Sequence, residues 1–290
     1  MFKNDLFKGK KFLVTGGGTG LGRSMTEKLV ELGAEVVIIG RRKEMLDKAA
    51  EEITAKHGGK VTPIPCDIRV AEAIEDMVAE VWAAGPLDGL INNAAGNFIS
   101  QTKDLSPRAF DAIANIVFHG TFYMTNAVGK RWIAEGRKGS VLSILTTWVW
   151  TGSPFVVPSA MSKAGVAVMT QRLAVGWGRS GLRLNAIAAG PFPPEGAWAR
   201  LNPNGQDREW AERIPLGRVG KHSELANMAA FLMADDVEYI SGEVIAIDGA
   251  QGIMGSGPFS NLLKMTENDW QKARESIRKT NEADKAKRTV

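Results

Sequence analysis

The sequence predicts an α/β chain in one domain, residues 1–290, built on a doubly wound parallel sheet of seven strands. Three observations carry this. Short apolar runs alternate with longer helical patterns along the chain. A glycine-rich turn, Thr15-Gly16-Gly17-Gly18-Thr19-Gly20-Leu21-Gly22, joins the first apolar run to the first helical pattern. The residues with the most chemical character fall just after the apolar runs, at the strand ends where the ligand crevice of such a sheet lies.

The apolar runs place strands near Phe12 to Val14, Glu35 to Ile39, Val61 to Ile64, Gly89 to Ile91, Ser140 to Leu145, Arg183 to Ala188 and Glu243 to Ile247. Strands separated by helices imply parallel pairing with right-handed crossovers and helices on both faces. The first helix is expected to close at Leu32-Gly33 and the second at His57-Gly58-Gly59, where glycine supplies the left-handed cap. Two segments break the alternation. Residues 191–215, rich in Pro, Gly, Asn and Trp, follow the sixth strand at the binding edge and read as a substrate lid. The tail, residues 258–290, holds a charged helical stretch from Thr266 to about Asn281, read as a peripheral helix, a subunit contact or a frayed end.

The glycine turn is a phosphate cradle of Rossmann type. Gly16 permits the tight turn, Gly20 lets main chain approach a pyrophosphate, and Gly22 lets the helix pack closely, while first-turn N–H groups around Gly18, Thr19 and Leu21 face the anion. After the second strand, where NAD-selective folds carry a carboxylate, the chain has Gly40-Arg41-Arg42. A guanidinium pair suits a 2′-phosphate, so NADP(H) is the expected coenzyme, although the same residues suit an ordinary basic first helical turn.

Composition narrows the rest. Of 290 residues 44% are hydrophobic, enough for a large core. The single Cys66 excludes an intrachain disulfide, and three scattered histidines form no metal-ligand pattern. No apolar run reaches membrane-spanning length and the amino terminus has no leader pattern, so a cytoplasmic protein is expected. The net charge of +4 suits a phosphorylated ligand but decides nothing, since the basic excess lies partly in the tail. A small-molecule substrate is expected, with neither nucleic acid nor membrane as partner.

Four motifs in order, Thr15-Gly16 through Gly22, Asn92-Asn93-Ala94-Ala95-Gly96, Ser159-Ala160-Met161-Ser162-Lys163-Ala164-Gly165 and Ala189-Gly190-Pro191, resemble the short-chain dehydrogenase/reductase family over nearly the whole chain. More narrowly, Asn92 to Ser100, Thr151-Gly152-Ser153 with Phe155 to Ala160, and Glu195-Gly196-Ala197 with Ala199-Arg200-Leu201 resemble the mitochondrial-type NADPH-dependent 2,4-dienoyl-CoA reductases. The resemblance implies that Asp67 and Ile68 flank the adenine, that Asn93, Ala94, Ala95 and Gly96 line the ribose side, and that Pro191, Phe192 and Pro193 edge the nicotinamide. It implies that Lys163, on a helix starting near Ser159, bonds the nicotinamide ribose and places positive charge near the reacting centre. It also implies acyl-CoA contacts at Arg69, Phe98, Ser106 and Arg200, and a homo-oligomer, commonly a tetramer, through helices over residues 107–134 and 159–180.

Each of these positions also has a local reading. Asp67 suits a turn former, Ser106 the N-cap of Ser106-Pro107, Arg69 and Arg200 surface charges, Phe98 the core, Asn97 a loop cap and Ser159 a helix N-cap. The chain departs from the family at three places. Ser159 replaces the tyrosine of Tyr-x-x-x-Lys, Thr146 replaces the serine thirteen residues earlier, and Val117 replaces the relay asparagine. The dienoyl-CoA branch uses a tyrosine displaced into the preceding loop, and that position holds Trp148, whose indole N–H donates a hydrogen bond but does not ionise near neutral pH. Tyr123 and Tyr239, the only tyrosines, fall elsewhere.

Ordinary carbonyl reduction is therefore poorly equipped, whereas hydride addition to a conjugated thioester is less demanding. Asn97, Ser159, Thr146 or Trp148 can meet the oxygen's charge with neutral donors while water protonates the carbon. The expected activity is NADP(H)-dependent hydride transfer to an unsaturated acyl-CoA or another enone-like substrate. Two other readings stay open: a ketone reductase using a water-mediated relay from Lys163, and a nucleotide-binding protein that has lost catalysis.

Overall fold

A computed structural model describes residues 1–193, 211–254 and 259–288, with main chain alone for Asn261 and residues 283–288. Arg200 and most of the segment read as a lid lie outside the described residues. The chain forms two compact units, Met1–Gly252 and Ile253–Val290.

In the first unit the apolar runs become β1 (Lys11–Thr15), β2 (Glu35–Gly40), β3 (Lys60–Pro65), β4 (Gly89–Asn92), β5 (Gly139–Thr146), β6 (Leu182–Ala189) and β7 (Val244–Ile247). Every pair is parallel, in the order β3-β2-β1-β4-β5-β6-β7. The order reverses between β1 and β4, which is where doubly wound sheets bind ligands. Each expected strand is present within one or two residues.

The helices are α1 (Gly20–Glu31), α2 (Lys43–His57), α3 (Ala71–Ala83), α4 (Pro107–Ala114), α5 (Gly120–Ala134), α6 (Val157–Trp177) and α7 (His222–Met233). In α1, Met25, Leu29 and Val30 are buried, and in α3, Ile74, Met77, Val78 and Val81, the spacing that turns one helical face to the sheet. Gly33 at φ 94° and Gly58 at φ 69° follow α1 and α2 in the left-handed region, as the glycine spacing predicts. Met25 and Leu29 join one core layer with Val14, Ile38 and Ile187, whereas Val78, Met124 and Trp132 join the opposite layer with Leu13 and Leu90. Strand β5 is buried along all eight residues, as a central strand covered on both faces must be. Trp132, fully buried, donates from Nε1 to the Leu87 carbonyl at 2.6 Å.

Two expectations change. The stretch 107–134, read as one helix, contains a π-helical segment, Asn115–His119, between α4 and α5. The helix carrying Lys163 begins at Val157 and is capped by Val156, so Ser159 lies inside its first turn and is not its N-cap. Pro158 accounts for the earlier start, because its fixed φ and missing N–H suit a first helical turn. In the second unit α8 (Glu267–Arg288) runs several residues past the expected end, through good helix formers such as Ala and Lys.

Among the described glycines the tightest position is Gly22, where a Cβ would lie 2.2 Å from the Gly16 carbonyl oxygen and 2.5 Å from Asn93 Nδ2. Gly22→Ala should cost about 1–3 kcal/mol of stability through overpacking against main chain, read as a lower urea midpoint with an unchanged m-value.

Candidate active site

The cradle is held from below by β4. The Thr15 hydroxyl oxygen accepts the N–H groups of Asn93 and Ala94, both at 2.9 Å, and Asn93 Nδ2 donates to the Thr15 carbonyl at 3.0 Å. These bonds stitch together the ends of the two strands flanking the reversal point. Gly16 and Gly20 stand at φ 66° and 54°, conformations that side chains disfavour, and so bend the chain from β1 into α1. Thr19 makes no side-chain cap at the start of α1, so the first N–H groups of the helix lack that partner, an arrangement suited to an anion.

A cavity of about 580 Å³ opens over these strand ends. At one end Gly16, Gly18, Thr19, Gly20 and Leu21 line it, with Arg41 and Arg42 beyond β2 and Asp67 and Ile68 beyond β3. Its floor is Asn93, Ala94, Ala95 and Gly96. At the other end stand Asn97, Thr146, Trp148, Ser159, Lys163, Pro191 and Phe192. The glycine cradle and the guanidinium pair fit the phosphates of a dinucleotide at the first end, and Lys163 lines the other.

Local bonding sets several roles. The Asn97 Oδ1 accepts the Phe98 N–H at 2.9 Å, which orients the carboxamide and leaves its amide N–H groups as the remaining donors. Asp67 accepts from the Arg69 N–H at 3.1 Å, the turn its sequence predicts, and from Arg69 Nε at 2.9 Å. The Arg69 side chain holds the Asp67 carboxyl below the usual carboxylate range. Thr146 and Ser159 are buried, and Trp148 is half-buried in the turn after β5. Lys163 is half-buried and makes no ion pair among the described residues; desolvation lowers its ammonium to about 8.

Four residues expected at the site do not line the cavity: Arg69, Phe98, Ser106 and Pro193. Arg69 is turned onto Asp67. The Ser106 hydroxyl accepts the Ala109 N–H at 3.2 Å as the N-cap of α4, the local reading of Ser106-Pro107. Tyr123 lies outside the cavity, paired with His119, and Tyr239 is fully exposed. Val117 is buried in the π-helical segment. Ile99, Ile116, Val156 and Gln251 also line the cavity, and sequence reading did not single them out. Gln251 carried a signal, since it follows the carboxyl end of β7. Ile116 carried none, because its place depends on the π-helical turn.

Among the described residues no group of His, Cys, Asp and Glu is placed to hold a metal ion, and no helix is long and apolar enough to cross a membrane. The family model described as enoyl-(acyl carrier protein) reductase matches residues 16–250. A Caenorhabditis elegans protein named probable 2,4-dienoyl-CoA reductase, (3E)-enoyl-CoA-producing, is 40% identical over 287 residues, covering 96% of this chain and 92% of its own. A Bacillus subtilis protein named probable 2,4-dienoyl-CoA reductase, (2E)-enoyl-CoA-producing, is 40% identical over 245 residues, covering 83% and 96%. A solved Agrobacterium tumefaciens structure with bound NADP, described as a 2-deoxy-D-gluconate 3-dehydrogenase candidate, matches with TM-score 0.79 at 31% identity over 86% of this chain and 99% of that one. The chain belongs to the short-chain dehydrogenase/reductase family and is an oxidoreductase whose fold binds a nicotinamide coenzyme.

The lowered Lys163 value has a thermodynamic consequence. Between about pH 8 and the ordinary lysine value of 10.5 the unfolded chain holds a proton at this position that the folded chain has released, so the Lys163 contribution to stability rises with pH across that window. Lys163→Met, which has no charge to desolvate, should be favoured over wild type most strongly below pH 8, with the gap closing toward pH 10.5. Urea midpoints of both proteins at several pH values check this.

Proposed function

We propose that the protein reduces a conjugated acyl thioester, a 2,4-dienoyl-CoA, with NADPH as the coenzyme. The observation that carries this reading is one cavity lined by the glycine cradle, the Arg41-Arg42 pair and Lys163, with neutral donors in place of a phenol at the reaction end. When bound, the coenzyme supplies a hydride. Arg41 and Arg42 are exposed, form no ion pair among the described residues, and stand where a carboxylate would select the unphosphorylated ribose. Their guanidinium groups grip the 2′-phosphate.

At the other end the free amide of Asn97, the hydroxyls of Thr146 and Ser159 and the Trp148 Nε1–H surround the position for the thioester oxygen. They stabilise negative charge as it develops there, and Lys163 adds a positive charge in a partly dry site. No step at this oxygen requires a tyrosine. Arg69, held on Asp67 through Nε and Nη2, keeps Nη1 for a CoA phosphate outside the cavity. The relatives named as dienoyl-CoA reductases support the same substrate class.

Exposed apolar side chains on the two helices expected to build an oligomer, Phe118 and Phe122 on one and Met161, Val168 and Val175 on the other, support a homo-oligomer.

Incubation with NADPH and a 2,4-dienoyl-CoA should consume the reduced nicotinamide absorbance. Each charge-assisted bond to the 2′-phosphate is worth about 1.5–3 kcal/mol, so Arg41→Ala or Arg42→Ala should raise KM for NADPH by about 10- to 100-fold and leave KM for NADH nearly unchanged. Absence of NADPH oxidation in both the wild type and Trp148→Tyr overturns the reading.

A further inference from the structure

The reaction end of the cavity has neutral donors for an oxygen, but reduction also needs a proton for carbon. Five titratable side chains line the cavity among the described residues: Arg41, Arg42, Cys66, Asp67 and Lys163. The two arginines do not release protons in proteins. Asp67 is held as a carboxylate by Arg69 and has none to give. Burial pushes the Cys66 thiol up to about 11, and its Sγ donates to the Ala73 carbonyl at 3.7 Å. Cys66 and Asp67 also follow β3, four strand spacings from β5, a distance of about 19 Å across the sheet. Trp148 and Thr146 stand at the end of β5, and the helix bearing Lys163 packs on β5 and β6.

The segments packed against α6 bring other charged or titratable groups near it: Arg108 and Asp111 on α4, His119 in the π-helical segment, Tyr123, Lys130 and Arg131 on α5, Arg179 in the turn after α6, and Arg183 on β6. None of them lines the cavity. Arg131 is engaged with Glu75, Lys130 with Glu75, and Arg183 with the carbonyls of Leu232 and Ala234. Lys163 is left as the one described group at the reaction end with a proton to give near neutral pH.

We propose that the Lys163 ammonium is the proton donor of the reaction, a catalytic acid acting on the carbon chain as well as a fixed charge beside it. This rests on the dienoyl-CoA reading. Hydride addition oxidises the coenzyme and forms a C–H bond at the far end of the diene, and the electron pair displaced through the conjugated system charges the thioester oxygen. That charge returns through carbon to take a proton from Lys163 Nζ, so an N–H bond breaks as the second C–H bond forms. The neutral amine regains a proton from water. The sum is one dienoyl-CoA, one NADPH and one proton converted to one enoyl-CoA and one NADP⁺. An acid that releases its proton near pH 8 lies in the range where general-acid catalysis is efficient.

Lys163→Arg separates the two roles, because arginine keeps the positive charge and cannot release a proton. With NADPH binding retained by calorimetry, kcat with NADPH and a 2,4-dienoyl-CoA should fall by about 10²–10⁴-fold. A Lys163→Arg enzyme within about threefold of wild type overturns the inference and leaves the proposed function intact. Should that variant fail to fold or bind NADPH, the wild type decides: kcat should fall about tenfold per pH unit above the Lys163 value, and a kcat flat through about pH 10 overturns the inference. Independently of turnover, ¹⁵N NMR of the lysine Nζ in the coenzyme-free protein, assigned with Lys163→Met, should show Lys163 titrating near pH 8, and titration at the ordinary lysine value also overturns it. A wild type that titrates near pH 8 and binds NADPH but leaves the dienoyl-CoA unreduced is a distinct result: it overturns the proposed function and the proton-donor role that rests on it.

Discussion

The contact between the start of α1 and the turn that precedes it governs the site. With Gly22 against the Gly16 carbonyl and Asn93 against the same main chain, α1 starts without a side chain between it and the sheet. The helix is then locked from behind, with Met25 and Leu29 in the core layer that also holds Leu225 and Ala229 of α7. A further link, Ser24 Oγ to His222 Nδ1 at 3.1 Å, ties α1 to the first turn of α7. An anion site made from main chain needs this rigidity, because its donors cannot be reoriented one by one as side chains can.

The reaction end follows a different logic. Here the cavity is lined by side chains on loops and early helical turns: Asn97 after β4, Trp148 after β5, and Ser159 and Lys163 on adjacent turns of α6. Their scaffold includes the buried central strands β4, β5 and β6, so small groups are placed with little freedom. Loss of a phenol from such a site removes one ionisable donor but not the cluster of neutral ones. The burial that lowers Lys163 brings its ammonium closer to neutral pH than that of an exposed lysine.

Relatives and structure meet at the level of family and coenzyme class. The likeness runs through nearly the whole chain, and Trp148 and Ser159, which stand where the family motifs lead one to expect other residues, both line the cavity. Substitution in the wall of a cavity alters the donors for a reaction without altering the scaffold that presents them.

Strand number, parallel pairing and the glycine cradle were legible in the sequence, because alternating apolar runs and closely spaced glycines report local geometry directly. The Arg41-Arg42 pair after β2 and Asn97 after β4 were legible from their positions, while Lys163, inside α6, was placed at the site by the family resemblance alone. Tertiary structure decided what competing local bonds do. Asp67 draws Arg69 off the cavity and Ala109 claims the Ser106 hydroxyl, contacts that the sequence permits beside ligand binding and cannot rank against it. It also decided the π-helical turn at Asn115–His119, which contains Phe118, packed over Gly165, and precedes Gly120, where a Cβ would meet Ile68 at 2.8 Å. Propensity over 107–134 describes only an uninterrupted helix, since helical phase depends on the chain itself while the interruption accompanies packing by neighbours far away in sequence. The proton affinity of Lys163 belongs to the same class: residue type supplies an ammonium, and only burial by the assembled elements determines how tightly it holds its proton.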